Sequence, residues 1–169
     1  SFNNLLKIES DRKKVREIMG LDAGGSYDFL EVPITLTQNN KTYKAKLRLK
    51  GDRRVHFDDR KNSSYKIDLK KDNTIFGVKK FSLMKPRIRN YIHEWLFHEL
   101  NAEGGLVALK YDFINLKING AKQGLYVLEE GFDKILLERN KKRNGPIFSL
   151  HEEYNANYSK DAKFEVYNK

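Results

Sequence analysis

The sequence predicts an α+β fold, a mainly antiparallel sheet with one principal packed helix. Two observations support this prediction. Short segments in which apolar and polar residues alternate recur along most of the 169-residue chain, as in half-buried strands. One segment, 88–100, instead repeats its apolar residues at the spacing of a helix. Strands joined by short turns form antiparallel sheets, and an amphipathic helix covers one face of such a sheet.

Composition indicates a globular domain with anionic partners. Hydrophobic residues make up 39% of the chain, which is enough for one core. The sequence lacks cysteine, which excludes disulfide frameworks, thiolate metal sites and cysteine nucleophiles. No apolar run reaches the roughly 18 residues of a membrane span. The 33 Lys and Arg residues against 23 Asp and Glu residues give a formal charge of +10, which favours nucleotide phosphates, nucleic acid or an acidic protein.

The first 30 residues predict a helical flank without chemistry. Ser10 is a candidate N-cap, Asp11 complements the helix dipole, and Gly20 supplies a left-handed C-cap. A helix is therefore predicted between Ser10 and Gly20.

Two alternating segments after Leu30 predict a β-hairpin, with a tight turn at Asn39-Asn40. One face is apolar and the other is strongly basic. The basic face is either a solvated outer surface or a surface that faces phosphate groups. The apolar positions are Val32, Ile34, Leu36, Tyr43, Ala45, Leu47 and Leu49, and the basic ones are Lys44, Lys46, Arg48 and Lys50.

The polar connection 51–63 is long for a link between two strands, and long loops are often functional. Gly51 is its one glycine, and the phosphate-binding pattern Gly-x-x-x-x-Gly-Lys-Ser/Thr is absent from the whole sequence. His56 has no second histidine near it, which favours a hydrogen-bonding role over metal binding.

The strand predicted over 64–70 carries a lysine near its centre. Apolar and polar residues alternate in it, and Lys66 lies on the polar face. In a purely structural alternative, the Lys66 side chain covers the sheet and its ammonium group reaches solvent. A further short strand is predicted over 80–83, and Pro86 leads into the helix.

The helix predicted over 88–100 places a carboxylate on its apolar stripe, whereas Glu94 lies off the stripe and is predicted to face solvent. A buried carboxylate needs a cationic partner, and Lys66 is the candidate. Kinases hold nucleotide phosphates with such a pair of strand lysine and helix glutamate. The stripe consists of Ile92, Trp95, Leu96 and Glu99.

Two further strands are predicted over 111–118 and 122–128, on either side of the hairpin dipeptide Asn119-Gly120. Residues 129–139 leave the strand and turn helical. A last strand is predicted over 147–150, and no clear period follows it.

Seven segments follow one another in unbroken order within residues 31–150: Lys46–Asp52, Ser64–Ile67, Phe76–Leu83, Arg89–Glu99, Asn119-Gly120, Gly124–Glu130 and Phe132–Lys134. Together they resemble the CotH-type atypical kinase family. The family is named for spore-coat proteins, and its members resemble protein kinases in fold and phosphorylate secreted or surface proteins on Ser/Thr. The resemblance implies a flank over 1–30, a kinase-like N-lobe over 31–130, and a hinge-following helix and the start of a C-terminal part over 131–169.

The resemblance also implies a nucleotide-phosphate site. Lys66 takes the place of the phosphate-binding lysine, and Glu99 takes that of its helix partner. Arg53 and Arg54 lie where a phosphate-covering loop belongs.

Glu129 and Glu130 look like the hinge between two kinase lobes, whose backbone contacts adenine. Glu130 fits equally well as an acidic residue at a helix N-terminus.

The resemblance implies ATP and Mg²⁺ as cofactors of a longer protein. The family's metal-binding acidic residues, including a Trp-Asp-x-Asp segment, lie in a C-terminal lobe, but the only tryptophan here is Trp95 and no such segment follows Arg143. Phosphoryl transfer needs carboxylates that hold magnesium against the phosphates. We therefore expect no catalytic or metal-binding residue in these 169 residues and little activity from them alone.

Two other functions remain open. A non-catalytic domain of the same fold would hold an acidic protein partner on its basic face. Nucleic-acid binding through 44–50 and 141–143 ranks lowest, because the basic strand lacks stacking aromatic residues. The kinase interpretation implies ATP, a Ser/Thr protein substrate, and a secreted, cell-surface or spore-coat location.

Overall fold

Six antiparallel strands form one curled sheet in the computed structural model, which describes residues 1–21, 27–51, 54–56, 63–150 and 164–166. The predicted α+β class is confirmed. The elements are α1 (Phe2–Leu21), β1 (Val32–Gln38), β2 (Lys41–Leu49), a 3-10 turn (Arg54–His56), β3 (Tyr65–Leu69), β4 (Lys80–Met84), a second 3-10 turn (Pro86–Arg89), α2 (His93–Glu103), β5 (Tyr111–Ile118), β6 (Ala121–Glu130), α3 (Lys134–Arg139), β7 (Phe148–Leu150) and β8 (Phe164–Val166). The order in the sheet is β1-β2-β3-β4-β6-β5.

The chain divides into two compact units after Gly131. The first unit holds α1, the six-stranded sheet and α2. The second holds α3 and the β7–β8 hairpin, whose strand β8 was not predicted. Asp133 caps α3, because its Oδ1 accepts hydrogen bonds from the backbone N–H groups of Ile135 and Leu136 at 2.8 and 3.2 Å.

The main core lies on the apolar face of the six-stranded sheet, where α1 packs. A smaller core of Met84, Tyr111 and Val127, with Ile88 against it, lies on the opposite face. Burial of these apolar side chains drives the layers together. The main core consists of Ile8, Val15, Val32, Ala45, Leu49, Tyr65, Ile67, Leu69, Ile75, Val78, Phe81, Leu83, Tyr126 and Leu128.

Both predicted hairpins in the sheet are confirmed. Asn39 and Asn40 have φ angles of 47° and 60°, and Asn119 and Gly120 have 48° and 83°. Tight two-residue turns require positive φ at both central positions, which asparagine and glycine adopt at low cost. Local residue chemistry therefore determines both turns.

α1 begins well before the predicted start, so the prediction that Ser10 caps it is wrong. The helix spans 20 residues, and its first turn is closed by Ser1, whose Oγ accepts a hydrogen bond from Asn4 N–H at 3.4 Å. Asp11 is buried rather than solvated. It accepts hydrogen bonds from Tyr27 Oη at 2.7 Å and from the Leu30 N–H at 3.1 Å, which fasten the helix to the segment before β1.

The side of α2 that packs on the sheet is not the side that the predicted apolar stripe occupies. The chain breaks at Asn90 and Tyr91, whose φ angles of 52° and 60° are left-handed, and the helix begins only at His93. His98 is buried and Glu94 is half-buried, so the prediction that Glu94 faces solvent is wrong. The whole predicted stripe is exposed: Ile92, Trp95, Leu96 and Glu99.

The prediction that Glu99 lies on the core side is therefore wrong as well. A periodic apolar stripe shows which residues share a side of a helix, but the backbone break before His93 sets how that helix is turned. Tyr111 belongs to the small core, and its ring contacts that of His98 with 5.9 Å between the ring centroids. This contact turns Glu99 outward.

Candidate functional site

Four strand pairings bring five side chains into one row across the sheet, on the side that carries α2. The register pairs Arg48 with Lys66 and Lys66 with Ser82. It continues from Ser82 to Glu129 and from Glu129 to Tyr111. Directly opposite residues of antiparallel strands point to the same face. We call these five residues the cross-strand row.

Glu129 is the buried carboxylate of the row and contacts two cations. Its side chain is 8% exposed, and its Oε2 forms an ion pair with Lys50 Nζ. Arg89 Nη2 lies 3.9 Å from Oε1. The side chains of Lys50 and Arg89 are 23% and 44% exposed, so both reach solvent. A buried carboxylate thus holds two partly exposed cations above the sheet.

Lys66 lies second in the row, between Arg48 and Ser82, and is half-buried. Arg48 and Ser82 stand opposite it on the two neighbouring strands. Glu99 is exposed, so its carboxylate lacks the burial from which a cationic partner was predicted. The carboxylate in the row of Lys66 is that of Glu129.

Glu130 ends β6 as a buried residue. Its Oε2 accepts a hydrogen bond from the Lys110 N–H at 2.8 Å, and its own N–H donates to the Lys110 carbonyl at 2.8 Å. The next N–H, that of Gly131, donates to the Lys80 carbonyl at 2.7 Å. These backbone donors are thus used within the sheet. The interpretation of Glu130 as a helix N-terminal acid is wrong, since Asp133 caps α3.

The loop after β2 is only partly described. Arg53 lies outside the described residues, and only the backbone of Arg54 is described, in the first 3-10 turn. His56 is buried, and its Nδ1 lies 2.9 Å from Ser64 Oγ. The hydrogen-bonding role predicted for His56 is confirmed.

Lys50, Arg89 and Tyr111 were not predicted as site residues. Lys50 and Glu129 are 79 positions apart, and alternation along one strand carries no information about which distant strand pairs with it. The one available signal was the basic face of β2, to which Lys50 belongs.

The described residues form no ready-made cluster of metal ligands. No group of three or more His, Asp or Glu side chains in this part of the chain is placed to hold a metal. Mg²⁺ prefers carboxylate and phosphate oxygens, but the buried carboxylate Glu129 is already paired with cations. Among the described helices, none is long and apolar enough to cross a membrane.

Comparison with known proteins identifies the family. A family model described as CotH kinase protein matches residues 47–169, which is more than half of the chain. The match includes every member of the cross-strand row. No curated protein matches the sequence. The chain belongs to the CotH kinase protein family.

Proposed function

We propose that this chain is the nucleotide-binding lobe of a CotH-type kinase that transfers phosphate from ATP to Ser/Thr residues of a protein. The observation that supports this is the face of the cross-strand row, on which Lys66 lies in the row itself and Lys50 and Arg89, outside it, contact the buried Glu129. Catalysis of phosphoryl transfer consists mainly of positioning and electrostatic stabilisation of phosphate groups. A rigid sheet face with fixed cations is suited to that task.

Each residue of the proposed site has a separate role. Lys66 contacts phosphate oxygens as a point charge. Glu129 orients Lys50 and Arg89, which is the role assigned from the sequence to Glu99. Glu99 is exposed on α2 and is left out of the proposed site.

The flanks of the site complete the proposal. The lobe spans residues 31–130, with 1–30 as its flank, and 131–169 begin the second part. Glu129 and Glu130 lead to the hinge, where the first compact unit ends. The N–H groups of Glu130 and Gly131 are used in the sheet, so the adenine contact is proposed for the other backbone groups of Glu129, Glu130 and Gly131. Arg53 and Arg54 are proposed to cover the phosphates.

Titration of MgATP by calorimetry tests the proposal. Lys66→Met keeps the aliphatic stem that packs on the sheet and removes only the ammonium group. We expect it to weaken MgATP binding about tenfold or more, since a charged hydrogen bond is lost. The matched control is Lys117→Met on the exposed end of β5, which should bind like the wild type. Absence of binding by the wild type, or equal binding by Lys66→Met, would overturn the proposal.

A non-catalytic basic domain of the same fold is the second candidate. Its support is the charge of β2, on which Lys46, Arg48 and Lys50 share one face. Such a domain would bind an acidic peptide such as poly-glutamate and would not bind MgATP. Calorimetric titration of MgATP and of poly-glutamate distinguishes the two candidates, because only the nucleotide-binding lobe is expected to bind MgATP more tightly than poly-glutamate.

A further inference from the structure

The predicted apolar stripe of α2 lies on the side of the helix that faces away from the sheet. Glu94, His98 and Asn101 are the residues of α2 that are buried or half-buried, so polar side chains pack towards the sheet. An amphipathic helix of a globular domain turns its apolar side to a core, and α2 does the reverse. We call the large exposed apolar residues on and just before the helix the outer face of α2: Tyr91, Ile92, Trp95, Leu96, Phe97 and Leu100.

The outer face of α2 is large enough for a stable protein–protein interface. Tyr91, Trp95 and Phe97 are 63%, 38% and 57% exposed, so these three aromatic residues leave roughly 300 Å² of apolar surface in solvent. With its three aliphatic residues the face exposes roughly 500 Å², near the upper end of what a monomer leaves uncovered. About 60% of an interface is apolar, so this face corresponds to about 800 Å² per partner, the usual area of a stable interface.

The charges on α2 disfavour an anionic partner. The helix carries Glu94, Glu99 and Glu103 and no lysine or arginine, in a chain whose net charge is +10. These carboxylates would repel an anionic membrane or a nucleic acid. A basic residue lies at the opposite end, because Arg87 is exposed in the 3-10 turn that precedes the helix. The surface around the outer face therefore carries both signs of charge, one towards each end.

We propose that the outer face of α2 binds the same face of a second copy of this chain, with the two helices antiparallel about a two-fold axis at Leu96. Ile92, Leu96 and Leu100 are spaced four residues apart and form one ridge, which packs beside the same ridge of an identical helix. Two-fold dimers are the commonest protein oligomers, and their interfaces are self-complementary. This inference goes beyond the proposed function and does not depend on nucleotide binding.

The antiparallel arrangement brings opposite charges together. About an axis at Leu96, the exposed Glu99 of one copy faces the exposed His93 of the other, and Glu103 approaches the end that carries Arg87. The positive N-terminal end of each helix also meets the negative C-terminal end of the other. A parallel pairing would instead place the two copies of Glu99 side by side, which is unfavourable. The charges therefore select the antiparallel dimer.

Sedimentation equilibrium of the 169-residue chain tests the proposal. We expect the molar mass to rise from 19.9 kDa towards twice that value as the protein concentration increases from about 1 µM to about 200 µM. Leu96→Glu places two carboxylates at the axis, so its dissociation constant should be at least about 100-fold higher than that of the wild type. Leu96 is 46% exposed, so the circular dichroism of this variant should match that of the wild type. Leu6→Glu on α1 is the matched control, because Leu6 is an exposed leucine of another helix, and it should dimerise like the wild type.

A pair of charge variants tests the arrangement of the two helices. His93→Glu should weaken dimerisation about fivefold, because it sets a carboxylate opposite Glu99 at two symmetry-related places. The double variant His93→Glu/Glu99→Lys makes the facing charges opposite again and should restore the dissociation constant to within about twofold of the wild type.

Each other outcome counts against the dimer. A wild type that stays monomeric at about 200 µM would overturn the proposal and leave the outer face to a partner of another kind. A dimer that persists in Leu96→Glu would overturn it, because the contact would then lie elsewhere on the molecule. Equal loss of the dimer in Leu6→Glu would overturn it as well, since the association would then be non-specific. A double variant no tighter than His93→Glu would overturn the antiparallel arrangement.

Discussion

Gly51 is the residue that allows the chain to leave β2 and return towards β3. Its φ angle of +127° is one that residues with a side chain rarely adopt. The ring of His56 packs directly against the Gly51 Cα. The His56 ring is in turn fixed by Ser64. This small cluster fixes the base of the loop in which Arg53 and Arg54 were predicted to contact phosphates.

Gly51→Ala is expected to lower the free energy of unfolding by at least about 2 kcal/mol, through backbone strain and steric overlap. A Cβ atom there would lie 2.3 Å from His56 Cγ. Urea unfolding measures the loss. Gly104→Ala is the control, because its φ is −75° and its Cβ would meet its nearest neighbour at 3.4 Å. Equal stability of the two variants would show that His56 does not pack on Gly51.

Among the elements, α1 shows how a tertiary contact extends a helix beyond its sequence signals. Ile8 and Val15 belong to the main core. Asp11, which lies between them in the helix, accepts a hydrogen bond from the Tyr27 hydroxyl. The sequence shows good capping residues at Ser10 and Asp11. It does not show that packing against the sheet makes the earlier turns helical as well.

The Tyr27–Asp11 bond predicts a pH dependence at the alkaline end. The hydrogen bond to Asp11, then burial and the charges of Asp11 and Asp28, raise the pKa of Tyr27 to about 12 from 10.0. Because the pKa of Tyr27 is raised, its hydrogen bond stabilises the folded state fully below about pH 10. This stabilisation of the folded state is lost as the pH rises towards about 12. Thermal unfolding of the wild type and Tyr27→Phe should therefore differ at pH 9 and converge near pH 12. A constant difference would contradict the bond.

The hairpins and the site differ in how far the sequence predicts them. Asn39-Asn40 and Asn119-Gly120 determine their turns through their own backbone preferences, so both hairpins were predicted with their strands. Lys66 was placed on the correct, polar face by alternation alone. The sequence did not predict that Glu129 is the carboxylate in the row of Lys66. Glu129 reaches the row through a pairing between strands that are distant in sequence.

At the scale of the whole molecule, the charge of +10 acts on every anionic ligand. Lysine and arginine side chains on the face of the row sum to a positive potential, which attracts phosphates over a distance set by the ionic strength. The two cations above Glu129 are partly exposed, so salt screens them as well.

Binding of tripolyphosphate should consequently weaken by about tenfold when the salt concentration rises from about 0.05 M to about 0.5 M. Calorimetric titrations at several salt concentrations measure this change. Adenosine, which is uncharged, is the control ligand and should show little dependence. If the affinity for tripolyphosphate did not change with salt concentration, the prediction would be wrong, and the ligand would bind away from the basic face.

The pairing of β4 with β6 joins strands of the six-stranded sheet that are not consecutive along the chain. β1, β2, β3 and β5 each pair with the next strand along the chain, whereas β6 reaches β4 only after α2 and β5 have been passed. Closing that long loop has an entropic cost that the adjacent hairpins do not have. The cross-strand row passes through this pairing, between Ser82 and Glu129. We therefore expect the row to be completed in the last step of sheet assembly, and a ligand that bridges it to slow the unfolding of the domain.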